Sequence, residues 1–456
     1  MGLGVPSIFK RKKRKDQATE VAAAVSQLVP SPPARAPADT GPRLPRFKAT
    51  ASDQVDRRRS DRFLALRMRL RGAFTPSQPI VEGKMFAGRQ DLLANMISSI
   101  EDRRLHLVLY GERGIGKTSL LHVLAEAAHS ARYIVVYSSC GSASNFQDTF
   151  HAAAVEIPLL FHSSFGPTTE EAEAGSSMAD LLPENFSPRQ FADLCAKLTG
   201  TRVLIFLDEF DRAESAAFRR DVAELIKFLS DRSVRMQLVI GGVAADLAEL
   251  VDHIPSIRRN ILAVRVPQMT EEEVREMIST GERASGLKFD PAASDLVVRI
   301  SRGWPYIAVL VCHNAGLCAL DAEREVVLEE DVSAALDASA IELRGRMSKA
   351  MTQQVDRLLG EDSGRALMVI AGAALSTGGE FGAVDIEAVS PKSTEAAAAK
   401  RIAEQLAGER ILVERRGDPS LGRYGFIDEG LPPYLWFLGT QQALLSTQLK
   451  ARVNAG

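Results

Sequence analysis

The chain has 456 residues, 45% of them hydrophobic, enough to bury sizeable cores in about three domains. No apolar run approaches the eighteen or so residues of a membrane-spanning helix, and four scattered cysteines without zinc-like pairing argue against a disulfide framework and fit a soluble protein of a reducing cytoplasm. The net charge of −2 hides an asymmetry: residues 1–80 carry 17 Lys and Arg against 6 Asp and Glu, a net of +11, and the remainder carries −13.

The first eighty residues read as a basic arm. Residues 10–15 (KRKKRK) form either a solvated charge run or an electrostatic contact for nucleic acid, anionic lipid or an acidic partner. The Pro/Ala-rich stretch at 30–45 has little to pack, and disorder is expected there. Over 56–74, Phe63, Leu66, Leu70 and Phe74 fall at helical spacing among seven arginines, Arg57, Arg58, Arg59, Arg62, Arg67, Arg69 and Arg71. That pattern predicts a basic amphipathic helix that docks on the core domain or on a surface.

From about residue 81, strands and helices alternate as a parallel α/β sheet requires. Helices are predicted at 89–101, 119–128 and 186–198, and a surface loop near 168–180. Five strands are predicted at 105–110, 133–139, 202–207, 235–240 and 261–266. Near the C-terminus, helices at 364–375, 381–389 and 393–406 precede strands at 411–416 and 423–427, which flank a Gly-Asp-Pro turn. Three helices and a hairpin describe a winged helix-turn-helix. Its third helix offers Lys400 and Arg401 but also Glu395, Glu404 and four alanines, and Arg415, Arg416 and Arg423 lie on the hairpin. So sparsely basic a helix predicts weak duplex binding, and packing or protein contact is the alternative use.

Between the first strand and its helix lies Gly111-Glu112-Arg113-Gly114-Ile115-Gly116-Lys117-Thr118, a complete GxxxxGK[ST] loop, followed by Ser119. In that context the glycines let backbone N–H groups surround phosphates, and the helix N-terminus adds a field that favours anions. Lys117 is expected on the β- and γ-phosphates and the Thr118 hydroxyl on Mg²⁺. The competing reading is an ordinary glycine turn. The strand at 203–207 then delivers Asp208 and Glu209 at its carboxyl end. Asp208 is placed to hold Mg²⁺ through its water shell, and Glu209 to orient or deprotonate an attacking water. Alone, the pair also suits a helix N-cap and first turn. One strand intervenes between loop and acids, the order of additional-strand ATPases.

With these motifs assembled, the chain resembles AAA+ ATPases of the replication-initiator, origin-recognition-like type and the related STAND ATPases. Phe86-Ala87-Gly88-Arg89 is similar to the box that opens their core. Residues 253–260, followed by Val266-Pro267-Gln268-Met269-Thr270-Glu271, resemble the entry to their helical lid, and Gly303-Trp304-Pro305-Tyr306 resembles the lid's GxP motif. The resemblance implies an ATP site with Gly88 and Arg89 near its base and Pro305 approaching from the lid. It makes Arg258 or Arg259 the candidate arginine finger toward a neighbouring subunit of a homo-oligomer; a solvated or acid-paired arginine is the alternative. Two positions depart from the pattern: Gly241-Gly242 where many relatives place a polar γ-phosphate sensor, and Tyr306 where initiators often carry arginine. Both point to slow hydrolysis.

The expected division is an arm over 1–80, a P-loop ATPase core over 81–269, a lid over 270–345, a winged helix over 346–440 and a tail over 441–456. The expected function is a nucleotide-gated switch, binding ATP or ADP with Mg²⁺ and engaging DNA through winged helix and arm. The alternative is a STAND-like regulator that assembles on ATP and contacts protein. A kinase is disfavoured, because nothing suggests a phosphoryl-acceptor site.

Overall fold

The near-continuous apolar runs become five strands, β1 (His106–Gly111), β2 (Ile134–Ser139), β3 (Val203–Asp208), β4 (Met236–Val243) and β5 (Ile261–Arg265). They pair in parallel in the order β2-β3-β4-β1-β5. Alternate side chains enter different cores, as a pleated strand dictates. Leu107, Leu109, Leu204, Phe206 and Val239 face one core, and Val108, Val203, Ile205, Leu207, Leu238 and Ile240 face the other. A sheet covered on both faces explains why these strands lack the polar alternation of a half-exposed one.

The computed structural model describes residues 62–163, 175–244, 255–360, 364–390, 392–414, 422–428 and 430–455. These lie in one compact unit, Asp56–Gly456. The basic run at 10–15, the Pro/Ala-rich stretch, Arg57, Arg58, Arg59, Arg415, Arg416 and the hairpin turn lie outside the described residues, as does the start of the loop expected near 168.

Helix α1 (Arg62–Ala73) realises the amphipathic helix over 62–73. It precedes α2 (Gln90–Glu101), and α3 (Lys117–Ser130) follows β1. After β2 come α4 (Phe146–Val155) and α5 (Pro188–Cys195), whose N-cap Ser187 and Gln190 form a reciprocal capping box. Helix α6 (Ala216–Asp231) links β3 to β4. The segment expected as a lid, called the lid below, comprises α7 (Glu271–Ser285), the short β6 (Lys288–Phe289), α8 (Pro291–Ser301), α9 (Pro305–Asp321), β7 (Val326–Val327) and α10 (Glu329–Arg346). Beyond it run α11 (Lys349–Gly360), α12 (Gly364–Thr377), α13 (Ala383–Val389) and α14 (Ser393–Gly408). The antiparallel pair β8 (Leu412–Glu414) and β9 (Tyr424–Phe426) follows, and α15 (Leu431–Ala455) continues through the segment expected as a tail.

Helix α1, grouped with the arm by sequence, packs on lid helices α7 and α9. Two glycines make room. A Cβ at Gly281 would lie 2.0 Å from the Phe74 ring, and one at Gly316 would lie 2.7 Å from Leu70. His313 Nδ1 meets the Phe74 carbonyl at 2.8 Å, and Arg62 pairs with Glu325. The first core therefore runs unbroken from the sheet through α1 and the lid to Leu367, Ile370 and Phe437 in the C-terminal helices.

The strands bury three polar side chains among the described residues, His106, Asp208 and Gln237. His106 Nδ1 accepts the Leu238 backbone N–H at 2.9 Å, and burial pushes its pKa down from 6.5 to about 3. The folded imidazole thus stays neutral while the unfolded chain protonates as pH falls below 6.5. Stability contributed above pH 6.5 is lost through that window, at about 1.4 kcal/mol per pH unit. Urea titrations at pH 7 and pH 5 should show this loss, and His106→Gln, whose side chain can still accept from Leu238, should reduce it. Overpacking at the α1 docking site should be felt as well: Gly281→Ala is expected to destabilise by about 1–3 kcal/mol despite its better helix propensity. The same titration reads that change.

Candidate nucleotide-binding site

The carboxyl ends of β1, β3 and β4 open into a cavity of about 890 Å³. The P-loop forms its floor, through Arg113, Gly114, Gly116, Lys117, Thr118 and Ser119. Asp208 and Glu209 line one side, and Pro305 and Tyr306 close it from the lid. Arg89 reaches it from beneath the loop. Ten of the sequence-predicted residues therefore meet at one place: Arg89, Arg113, Gly114, Gly116, Lys117, Thr118, Ser119, Asp208, Glu209 and Pro305.

Backbone geometry explains the loop composition. Gly116 has φ 94°, and a Cβ there would stand 3.1 Å from Arg89 Nη1 and 3.8 Å from Pro305. Only glycine allows that turn with a guanidinium and a lid proline so close. Lys117 is buried, and its Nζ donates to the Gly111 and Glu112 carbonyls at 2.8 Å each. The Ser119 hydroxyl accepts the Ile80 N–H at 3.0 Å and ties the loop to the segment at 75–80.

Arg89 is 7% exposed. It donates at 2.5 Å to the carbonyls of Ile115, in the P-loop, and Pro267, at the entry to the lid. Burial lowers its pKa to about 10 with Glu273 opposing, so it remains a cation at neutral pH. Its backbone N–H and that of Gly88 donate to Glu273 and Glu276 on α7.

The two acids are held by the neighbouring strand. Buried Asp208 accepts the Glu209 N–H and the Tyr137 hydroxyl, both at 2.8 Å. Burial first, and then Asp208, raises the Tyr137 pKa, keeping its proton in place as a donor. The Tyr137 ring lies between His122 and Phe206, with centroids at 4.5 and 5.6 Å. Glu209 accepts from the Ser139 hydroxyl at 3.1 Å and from Arg212 at 2.7 Å. Position 241 has no space for a side chain: a Cβ would fall 2.5 Å from Leu121 and 3.2 Å from Asp208 Oδ1. Packing against the acid thus accounts for the glycine where a polar sensor was expected.

Other predicted residues lie elsewhere. Gly111, Glu112 and Ile115 line a second cavity of about 280 Å³ behind the loop, with Gln268, Arg265 and the turn after α12. Gly88 makes its contacts to α7. Arg258 and Arg259 precede β5 at the end of the sheet opposite the P-loop, so neither joins the cavity of its own chain. Sequence reading missed Tyr137, Ser139 and Arg212, and the roof formed by residues 75–80 with Met277 and Gly281. The three hydroxyls of Tyr137, Ser138 and Ser139 in the otherwise apolar second strand were a usable signal, as was an arginine three residues beyond Glu209.

Among known proteins, residues 78–427 match the family described as Novel STAND NTPase 1. The Holliday junction branch migration complex subunit RuvB of Gluconobacter oxydans (strain 621H) is 23% identical over 282 residues, 57% of this chain and 66%, just short of two thirds, of that relative. Among solved structures, the Aeropyrum pernix Orc1 protein in complex with DNA gives a TM-score of 0.43 at 15% identity, covering 82% of this chain and 98% of that one. The Walker-type ATPase of Pyrococcus abyssi gives 0.48 at 16% identity, covering 80% and 99%. The family match begins in the roof of the large cavity and ends one residue past β9, well over half of the chain. The protein therefore belongs to the Novel STAND NTPase 1 family of P-loop NTPases.

Proposed function

We propose that the chain is an ATP-driven switch in which the nucleotide sets the position of the lid and C-terminal helices, and the ATP-bound form engages DNA. The supporting observation is the wiring of the C-terminal segment to both sides of the cavity. The Glu112 carboxylate of the P-loop lies against the turn after α12, where a Cβ at Gly379 would fall 2.5 Å from it. Gln268, at the lid entry, and Trp304, at the start of α9, both donate to the Leu375 carbonyl, at 2.5 and 2.7 Å.

In this reading Lys117 holds the β- and γ-phosphate oxygens, and Arg89 keeps the loop and lid entry in register. The hard oxygens of Thr118 and Asp208 suit Mg²⁺, which when bound neutralises charge on the transferring phosphoryl group. Glu209 orients the attacking water, with Ser139 and Arg212 fixing its carboxylate. The lack of room at Gly241 and the tyrosine at 306 favour slow turnover. Arg258 and Arg259, remote from their own site, serve a finger role only toward a second copy.

A second reading, protein contact by the C-terminal module, has its own support. Helices α12–α14 and the β8–β9 hairpin have the composition of a winged helix, yet two of its basic residues are engaged: Lys400 pairs with Glu387, and Arg423 donates to the Glu380 carbonyl at 2.9 Å. On that reading DNA contact falls to the basic arm.

Fluorescence anisotropy on duplex DNA with ATP, ADP or no nucleotide separates the two. Binding that needs ATP and disappears in Lys117→Ala is the outcome expected for the DNA switch. Nucleotide-indifferent binding, or ATP-driven assembly without DNA affinity, would replace it with the protein-contacting reading. Glu209→Gln is expected to retain ATP binding while lowering turnover about a hundredfold or more; unchanged turnover would remove Glu209 from its role.

A further inference from the structure

In a fully parallel sheet all strands begin along one edge, and here that edge faces away from the P-loop. The segments feeding the five strands are residues 102–105, 130–133, 196–202, 230–235 and 257–260. They contain nine basic residues against two acidic ones, Asp102 and Asp231, whereas the chain beyond residue 80 carries −13. The edge is thus a cationic strip on an acidic body.

In sheet order it presents Arg132, Arg202, Arg235 and the pair Arg103-Arg104, with Arg258-Arg259 before β5. The ladder carries through to the edge: Ile134 N–H donates to Arg202 O, and Val203 N–H to Arg235 O, both at 2.9 Å. Arg202 and Arg235 therefore follow the strand spacing of about 4.8 Å, and Arg132 and Arg103-Arg104 lie in the turns just before β2 and β1, along a five-strand edge about 19 Å wide. Arg103, Arg104, Arg132 and Arg235 are exposed, and among the described residues none of them has a carboxylate partner. Arg232 is different, pairing with Asp193 at 2.7 Å, and Arg202 donates to the Tyr133 hydroxyl. Arg104 and Arg132 hold left-handed backbones, φ 55° and 66°, which glycine adopts with less strain.

We infer that this edge is a binding surface for the phosphate backbone of a nucleic acid. Guanidinium groups match phosphate through paired N–H donors, and several of them along one edge can meet successive phosphates. A lipid-facing surface would add apolar anchors. None of the exposed large hydrophobic side chains of the described residues lies in these five segments. The five segments share no residue with the lining of the nucleotide cavity, the C-terminal module over 346–440 or the basic arm over 1–80, and the inference does not rest on the switch reading.

The test is binding of a fluorescein-labelled mixed-sequence 30-base-pair duplex to the full chain at several salt concentrations. It compares wild type with Arg103→Gln/Arg104→Gln/Arg132→Gln/Arg235→Gln, each also with residues 10–15 neutralised. Loss of four phosphate contacts lowers the slope of log K against log salt by about 3 to 4 units. Affinity is expected to fall at least about tenfold, with binding of a fluorescent ATP analogue unchanged. An unaltered slope, no wild-type binding even at low salt, or loss confined to phosphatidylserine vesicles would overturn the inference. Should the variant not fold, phenylglyoxal footprinting of the wild type decides: the duplex should protect these four arginines, and unchanged labelling overturns the inference.

Discussion

The site depends on a buried cation. Arg89 lies under the phosphate loop with its guanidinium on the Ile115 and Pro267 carbonyls and its own N–H on Glu273. Burying a charge is costly unless its donors are met; here Nη1 and Nη2 are met by the two carbonyls, whereas the buried Nε has no hydrogen-bond partner among the described residues. Three parts of the chain distant in sequence, the segment before α2, the P-loop and the entry to the lid, thus share one set of hydrogen bonds. The glycines at 88 and 116 follow from it. A Cβ at 88 would collide with Glu273, and one at 116 would press on the guanidinium.

Around this polar centre part of the wall is apolar and comes from unexpected places. Phe74, at the end of α1, covers Gly281 of the lid and stacks edge-on with Phe289 at 5.9 Å. The chain then runs through 75–80 along the cavity to Ser119. Nucleotide cavity, lid and N-terminal helix are consequently parts of one packing problem, and a change in any of them alters the shape of the pocket.

The sheet, the P-loop and the acidic pair were legible because each rests on local chemistry: an apolar run, a glycine spacing, a carboxylate at a strand end. The destination of α1 was not. Leu66, Leu70 and Phe74 state that a face is apolar without naming the surface that covers it, and Gly281 and Gly316 acquire meaning only once the helices cross. The grip of Tyr137 on Asp208 was hidden likewise, since β2 and β3 are joined by more than sixty residues. At the C-terminus, the segment over 441–456 was expected as a tail although α15 continues through it, and the Lys400–Glu387 pair that withdraws a basic residue from the solvent-facing set was equally hidden.

The carbonyl of Leu375 closes the last turns of α12, where helix carbonyls have no partner within the helix. It takes one bond from Gln268 and one from Trp304, side chains that sit on either side of the lid's first two helices. Arg302 adds a bond to Gly372 and lies 4.1 Å over the Trp436 ring, whose indole N–H is held by Ile300. Shared acceptors of this kind do not release one donor at a time, because moving the helix end far enough to lose one bond strains the other. Any displacement of the C-terminal helices from the lid helices would therefore be cooperative: a shift small enough to keep both bonds is absorbed, and a larger one loses them together.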